Sequence, residues 1–592
     1  MVTASSLPAT AQPPDPGFAE AVPGGACVAD NVYEKRHWDK GASAQAGKAC
    51  KRIRFSYGPV IVRPGQNDVL IGPVTIEKPA YDGYITRFKP DLVDATGKAP
   101  DVSLLHLHHA TWLNGGTSYG NGPFFAAGEE KTILPFPRGY GMRVEADDIW
   151  LLLYMVHSTV ATPTAVWVTY DVDFVPEADA HELGIVPAKP IWLDVQRERI
   201  APGAPSTSGN PVFNVQRGFG HIDPELDQRV CTWPKENCAR HDVYGGVTPQ
   251  QGKPIRLRGA DWTVTPDMAG TIVAIGGHLH PGGVRDEVSL VRDGVEKAIH
   301  ISDAVYWDRK TPSRAGGPRN SWDFSMTGTG APFGWKVKIE PGDIVRLNAT
   351  YDSEYASWYE NMGIVMAFVA PRDPHAPAGV DVFRDKVRID PGFPTTLDRI
   401  PGWMKPTCKP SLTGGTKTLC LRGSVTHGHL EETSTFGGCE GCAPLPRKDG
   451  PVMTDISVEG FTYGLADMGV IAANGIPRLK VGQPARFWNV DTTANVWHTV
   501  TRCKEPCTGR TGLDYPVANA GRGKGDPMDF DSTEVGYGLF FSPASGQIGG
   551  DKPIDEAVRD GLYWEFTPKQ KGTFSFFCRV HPAMRGAIKV VE

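Results

Sequence analysis

The sequence predicts an all-β chain built of β-sandwiches. Short runs of Val, Ile, Thr and aromatic residues recur along it, Gly, Pro and Asp punctuate them, and Ala/Glu/Lys/Leu-rich helical runs are nearly absent. The punctuation is dense, with 68 glycines and 51 prolines in 592 residues. At roughly 150 residues per domain, that length holds three or four domains. The net charge of −6 is spread along the chain with no basic patch, which argues against nucleic acid as a partner. No apolar run reaches the roughly 18 residues of a membrane span.

In order, residues 1–50 read as an extended arm, Pro/Gly/Ala-rich and then polar, pinned to the first domain. Alternation begins at Ile53 (RIRFSYGPVIV, NDVLIGPVTI, YDGYITRFKPDLV) and defines a first β-sandwich over 51–185. Within it, DVSLLHLHHATWLNGG carries His106, His108 and His109, and an apolar strand, DDIWLLLYMVHST, ends on His157. In a regular strand His106 and His108 share one face and His109 takes the other. Histidine is the commonest metal ligand, and three in four residues point to a metal. A Pro-rich link leads to a second sandwich over 186–372. There GTIVAIGGHLHPGG puts His278 and His280 on one face of a strand, and YENMGIVMAFV sets Met362 at the head of another. A Cys-rich connector spans 373–450. Its His427, His429, Cys439 and Cys442 are read as disulfide and loop chemistry in preference to a third metal site. The remainder, 451–592, opens with period-two strands (DISVEGFTYG, RLKVGQPARFWNV).

The chain ends on GTFSFFCRVHPAMRGAIKVVE, where Cys578, His581 and Met584 form C-x2-H-x2-M after an aromatic strand. Thiolate, imidazole and thioether on one loop select copper, in the trigonal His2Cys arrangement with a weak axial Met. The missing imidazole is assigned to His498, in RFWNVDTTANVWHTV. Eleven cysteines fit this: if Cys578 is a thiolate ligand, ten remain, enough for five disulfides. That usage indicates an oxidising compartment. The start, ASSLPATAQPPDPG, lacks an apolar leader core and reads as the polar beginning of a processed, exported chain, secreted or periplasmic.

These C-terminal motifs resemble the cupredoxin family (plastocyanin, amicyanin, pseudoazurin). The resemblance implies a Greek-key β-sandwich with a type 1 copper on His498, Cys578 and His581, Met584 as axial ligand, and Asn489 and Asp491 in the strand leading to the first histidine. A Gly-rich insertion of about 503–561 separates the two ligand segments. Residues 51–370 resemble the copper type II, ascorbate-dependent monooxygenases, exemplified by peptidylglycine α-hydroxylating monooxygenase. The motifs, in order, are HHAT, LLLYMVHST, GGHLHPGG and YENMGIVMAFV. This resemblance implies two jelly-roll sandwiches with one copper each, facing across a solvent cleft. His108, His109 and His157 would hold the electron-donating copper. His278, His280 and Met362 would hold the catalytic copper that binds dioxygen. His106 is additional, and the sequence leaves it and His109 as competing partners of His108.

The family's carboxylate clamp is replaced by Gly276, Ile364 and Met366. The expected partner is therefore a neutral or apolar small molecule, not a peptidyl-glycine, together with a redox partner or reductant. The expected function is O2-dependent hydroxylation, with the fused type 1 copper delivering electrons to two mononuclear coppers. The alternative is a non-catalytic, secreted copper-binding electron-transfer or copper-handling protein. A multicopper oxidase fits poorly, because Cys578 is flanked by Phe577 and Arg579 and not by two histidines.

Overall fold

The structure is a computed structural model. It describes residues 27–29, 40–62, 71–100, 105–116, 122–128, 130–158, 164–195, 255–259, 261–279, 283–303, 335–351, 363–372, 379–385, 449–459, 476–489, 500–502, 563–578 and 585–592, with a few short strand segments between them. The described chain is almost all β, as expected. No helix among the described residues is long and apolar enough to cross a membrane.

The first sandwich contains β1 (Lys51–Val62), β2 (Ile71–Ile76), β3 (Gly83–Asp94), β4 (Leu105–Asn114), β5 (Gly122–Gly128), β6 (Leu134–Pro135), β7 (Tyr140–Val144), β8 (Trp150–Ser158), β9 (Thr164–Pro176) and β10 (Val186–Pro187). One sheet runs β1-β9-β3-β7-β10 with β6 on β3, and the other runs β2-β8-β4-β5. Phe88 of β3 fills the space between them. Its ring lies 4.2 Å from Phe125, 5.2 Å from Trp112 and 5.8 Å from Tyr170. Such aromatic pairs add about 0.5–1.5 kcal/mol each beyond the area they bury. A short helix, α1 (Ala42–Ala46), packs on this sandwich, and a Cys27–Cys50 disulfide ties in the segment before it.

The second sandwich contains β11 (Lys189–Asp194), β12 (Ile255–Arg258), β13 (Gly270–Leu279), β14 (Gly283–Arg292), β15 (Val295–Asp303), β16 (Val337–Ile339), β17 (Ile344–Tyr351) and β18 (Gly363–Pro371). β11, β18 and β13 form one sheet, extended by short strands, and β12-β17-β14-β15 form the other. Along β13 and β18 the side chains alternate between two cores. Ile275, Leu279, Val365, Ala367 and Val369 enter the second sandwich, whereas Ala274, Phe368 and Ala370 join the core of the first. Phe136 meets Phe368 edge-on at 4.8 Å. The two sandwiches are therefore fused through one apolar face.

The C-terminal part contains β19 (Asp449–Val452), β20 (Asp455–Glu459), β21 (Thr462–Tyr463), β22 (Ile476–Lys480), β23 (Ala485–Asn489), β24 (Thr501–Arg502), β25 (Phe530–Asp531), β26 (Tyr563–Phe566), β27 (Gly572–Phe577) and β28 (Arg585–Val591). Its sheets run β19-β22-β28-β27-β24-β25 and β21-β20-β23-β26. Phe576 links them, 4.9 Å from Tyr463 and 5.6 Å from Phe487.

Candidate metal centres

The first histidine group depends on a fault in β4. Leu105 and Leu107 face the core, and so do Ala110 and Trp112. The inward parity changes from odd to even, and the pairing with β8 shifts register between Leu107 and His109. The extra residue is a β-bulge, which re-aims side chains. As a result His108 and His109 both face away from the core, with ring centroids 5.7 Å apart. The regular alternation expected from sequence, with His109 on the opposite face, does not hold here. In β8 the inward residues are Trp150, Leu152, Tyr154 and Val156. His157 therefore shares the outer face and sits opposite His106 in the pairing.

The imidazoles of His106, His108 and His157 lie near one another, and His109 adjoins His108. His106 lies 4.9 Å from His157 and 5.8 Å from His108, and His108 lies 6.4 Å from His157, between ring centroids. All four are buried. A first-row ion such as zinc binds imidazole nitrogen at about 2.0–2.1 Å. The all-nitrogen donor set suits a transition-metal ion such as copper, although among the described residues the groupings whose ligand atoms lie within 4.8 Å of one another do not include these histidines. His106, which the sequence left in competition with His109 as partner of His108, lies on the same outer face of β4 as both.

His278, on β13, faces the first sandwich. Its Nδ1 lies 3.1 Å from each carboxylate oxygen of Glu130. Glu130 is fully buried in the turn after β5, and its Oε1 accepts the Gly128 N–H at 2.8 Å. Gly128 is opposite His109 in the β4–β5 pairing. A Cβ on Gly128 would stand 2.5 Å from both the His108 carbonyl oxygen and His278 Cε1. The second sandwich's histidine thus seats directly against the first group's strand pair. At this point there is no open cleft of the kind the resemblance implied, because glycine lets the backbone and ring approach.

The positions replacing the carboxylate clamp lie on the same covered face. Ile364 and Met366 are buried, and a Cβ on Gly276 would touch Thr132 at 3.4 Å. Beneath the sheet, Asp286 of β14 approaches Gly277, where a Cβ would meet its Oδ2 at 2.9 Å. Burial pushes the Asp286 carboxyl well above the usual range. The His278 backbone N–H opposes this, and the charges of Asp194 and Glu130 reinforce it.

In the C-terminal part Cys578 is fully buried. Thr501, three residues past His498, is paired with Phe577, the residue before Cys578. The sheet thereby sets Thr501 beside the residue that precedes Cys578. His280, Met362, His498, His581 and Met584 lie outside the described residues, as do His427, His429, Cys439 and Cys442. Of the expected disulfides, Cys27–Cys50 is present among the described residues. Carboxylate and sulfur groupings at metal spacing occur at Cys27/Cys50/Asp173 and Glu145/Asp147/Asp148. The first is the disulfide itself, and the second is a surface turn in which Asp148 accepts from Asn114. Sequence reasoning missed Glu130. It sits in a turn, without periodicity, 148 residues from its partner.

No protein-family model matches the chain, and no curated protein does. Among solved structures, it is similar to a purple cupredoxin from Nitrosopumilus maritimus at 14% identity, covering 23% of this chain and 99% of that one, TM-score 0.13. It is similar to auracyanin from Roseiflexus castenholzii at 14% identity, covering 24% and 99%, TM-score 0.14. It is also similar to a copper-containing nitrite reductase from Thermus scotoductus SA-01 at 13% identity, covering 58% of each chain, TM-score 0.14. Likenesses this distant carry no argument about chemistry, which rests on the chain's own residues.

Proposed function

We propose that this chain is an exported copper-dependent oxidoreductase with three metal centres. His498, Cys578, His581 and Met584 would hold a type 1 copper. His108, His109 and His157, with His106 beside them, would hold a second copper. His278, His280 and Met362 would hold a third. Four buried histidines on the outer face of β4 and β8, with His106, His108 and His157 near one another and His109 beside His108, carry the reading, because packing alone gives no reason to collect four polar rings there. Bound copper would supply one-electron chemistry and, at the His/Met-ligated centre, reaction with dioxygen during hydroxylation of a small neutral substrate. The chain's own contribution is positional. The β4 bulge gathers the first histidines, and Glu130 and Gly128 seat His278 beside them. The β24–β27 pairing sets Thr501 beside Phe577, and tethering would keep a type 1 centre at high effective concentration.

A second reading, a non-catalytic electron-transfer or copper-handling protein, is favoured by one observation. The face that would bind substrate in the resembling monooxygenases is buried at Ile364 and Met366, which are paired with His278 and Gly276. Copper quantitation with EPR on the oxidised, copper-loaded protein separates the two. One type 1 signal with two type 2 coppers per chain is expected, and a single type 1 copper per chain would overturn the three-centre reading.

A further inference from the structure

We propose that Glu130 is a positioning residue that reaches across from the first sandwich and fixes the tautomer of His278 in the second. The inference rests on the reading of His278 as a metal ligand. Glu130 Oε1 already accepts the Gly128 N–H at 2.8 Å, and an amide N–H can only donate. Both carboxylate oxygens stand 3.1 Å from His278 Nδ1. The consistent arrangement puts the imidazole hydrogen on Nδ1, donated to the carboxylate, and leaves the Nε2 lone pair for a metal. A carboxylate behind a ligating histidine orients the ring and raises its basicity.

The surrounding chain is built to hold that carboxylate. The turn closes through Lys131 N–H to the Gly128 carbonyl at 3.0 Å. Lys131 adopts a left-handed conformation, φ 45°, and its ammonium pairs with Asp91 of β3 at 2.8 Å. The turn is therefore anchored to the opposite sheet of its own sandwich, and Glu130 is presented as a rigid strut. On the other side, His278 is fixed by its strand, opposite Ile364 of β18. The same hydrogen bond that selects the tautomer also locks the boundary between the sandwiches at the point where the two histidine groups approach.

The test uses the full chain as wild type, Glu130→Gln, Glu130→Ala and His278→Ala. Histidine-selective nitrogen-15 NMR of the metal-free proteins, assigned through His278→Ala, reads the tautomer. Copper titration followed by EPR reads affinity and nitrogen coupling at each centre. Glu130→Gln keeps an oxygen acceptor for Nδ1–H and should retain the tautomer. Glu130→Ala should lose it and weaken one type 2 copper by roughly 10–100-fold, leaving the type 1 signal and the first histidine group unchanged. Equal copper affinity in wild type and Glu130→Ala would overturn the positioning role while the three-centre reading stood. So would equal weakening of every centre, the mark of a merely structural residue. A wild-type protein that takes no copper at His278 would overturn the metal-ligand reading, and a wild-type His278 without the Nδ1 hydrogen would overturn the positioning role.

Discussion

At the residue scale, single atoms decide how close the two histidine groups come. Gly128→Ala would drive a Cβ to 2.5 Å from a backbone carbonyl and from the His278 ring. Because backbone lies on one side, the strain cannot be relieved by rotating a side chain. We expect a loss of about 1–3 kcal/mol in denaturant unfolding, typical of overpacking. His300 of β15 makes a separate prediction. It is fully buried, and neither ring nitrogen has a hydrogen-bond partner among the described residues. Burial pushes its pKa down to about 3. The unfolded chain takes up that proton near pH 6.5 and the folded one does not. Stability should therefore fall as pH drops from 6.5 toward 3, by about 1.4 kcal/mol per unit from this group. His300→Leu should flatten that part of a melting-temperature profile, and an unchanged slope would show the histidine to be charged or hydrated in the fold. None of this was visible in the sequence, where His300 stands in an ordinary alternating strand and Glu130 in an unremarkable acidic turn.

At the element scale, the strands themselves were legible, because their hydrophobic alternation is a local property. The histidines in HLHH and HLH were legible as ligand types for the same reason. The bulge in β4 was harder to read, since regular alternation is the default and the switch from Leu105/Leu107 to Ala110/Trp112 can be seen only once the core-facing side is known. Long-range ion pairs between strands were equally hidden. Arg52 of β1 makes a bidentate contact with the fully buried Asp173 of β9, at 2.7 and 3.0 Å, and the buried Arg87 of β3 lies 4.0 Å from the same carboxylate. Asp173→Ala would strand buried positive charge, and a loss of about 3–5 kcal/mol is expected from equilibrium unfolding. At the edge of the second sandwich, Arg346 and then Arg258 hold the Asp261 carboxyl below its usual range. Its contribution is present above about pH 4 and fades as pH falls through the lowered value. It should be small because the pair is partly exposed.

At the scale of the whole molecule, the first two sandwiches share one continuous core through Ala274, Phe368 and Ala370. They should unfold together. Phe368→Ala, which opens a cavity at that boundary, is expected to cost about 3–5 kcal/mol and to lower one shared calorimetric transition. Two separate transitions for these sandwiches would contradict the shared core. This fusion could not be read from sequence, where residues facing a neighbour's core and residues facing their own look alike. The monooxygenase resemblance instead implied a solvent cleft between the two sandwiches.

The bulge in β4 has a consequence for how such a site can be gained or lost. Deleting His108 alone would leave Leu105, Leu107, Ala110 and Trp112 facing inward in strict alternation, with His106 and His109 outward. The apolar side would be untouched while the outer side lost one imidazole. A single codon therefore separates a strand that carries two outward histidines from one that carries three. Metal-binding capacity on this face can change by one residue without renegotiating the packing behind it.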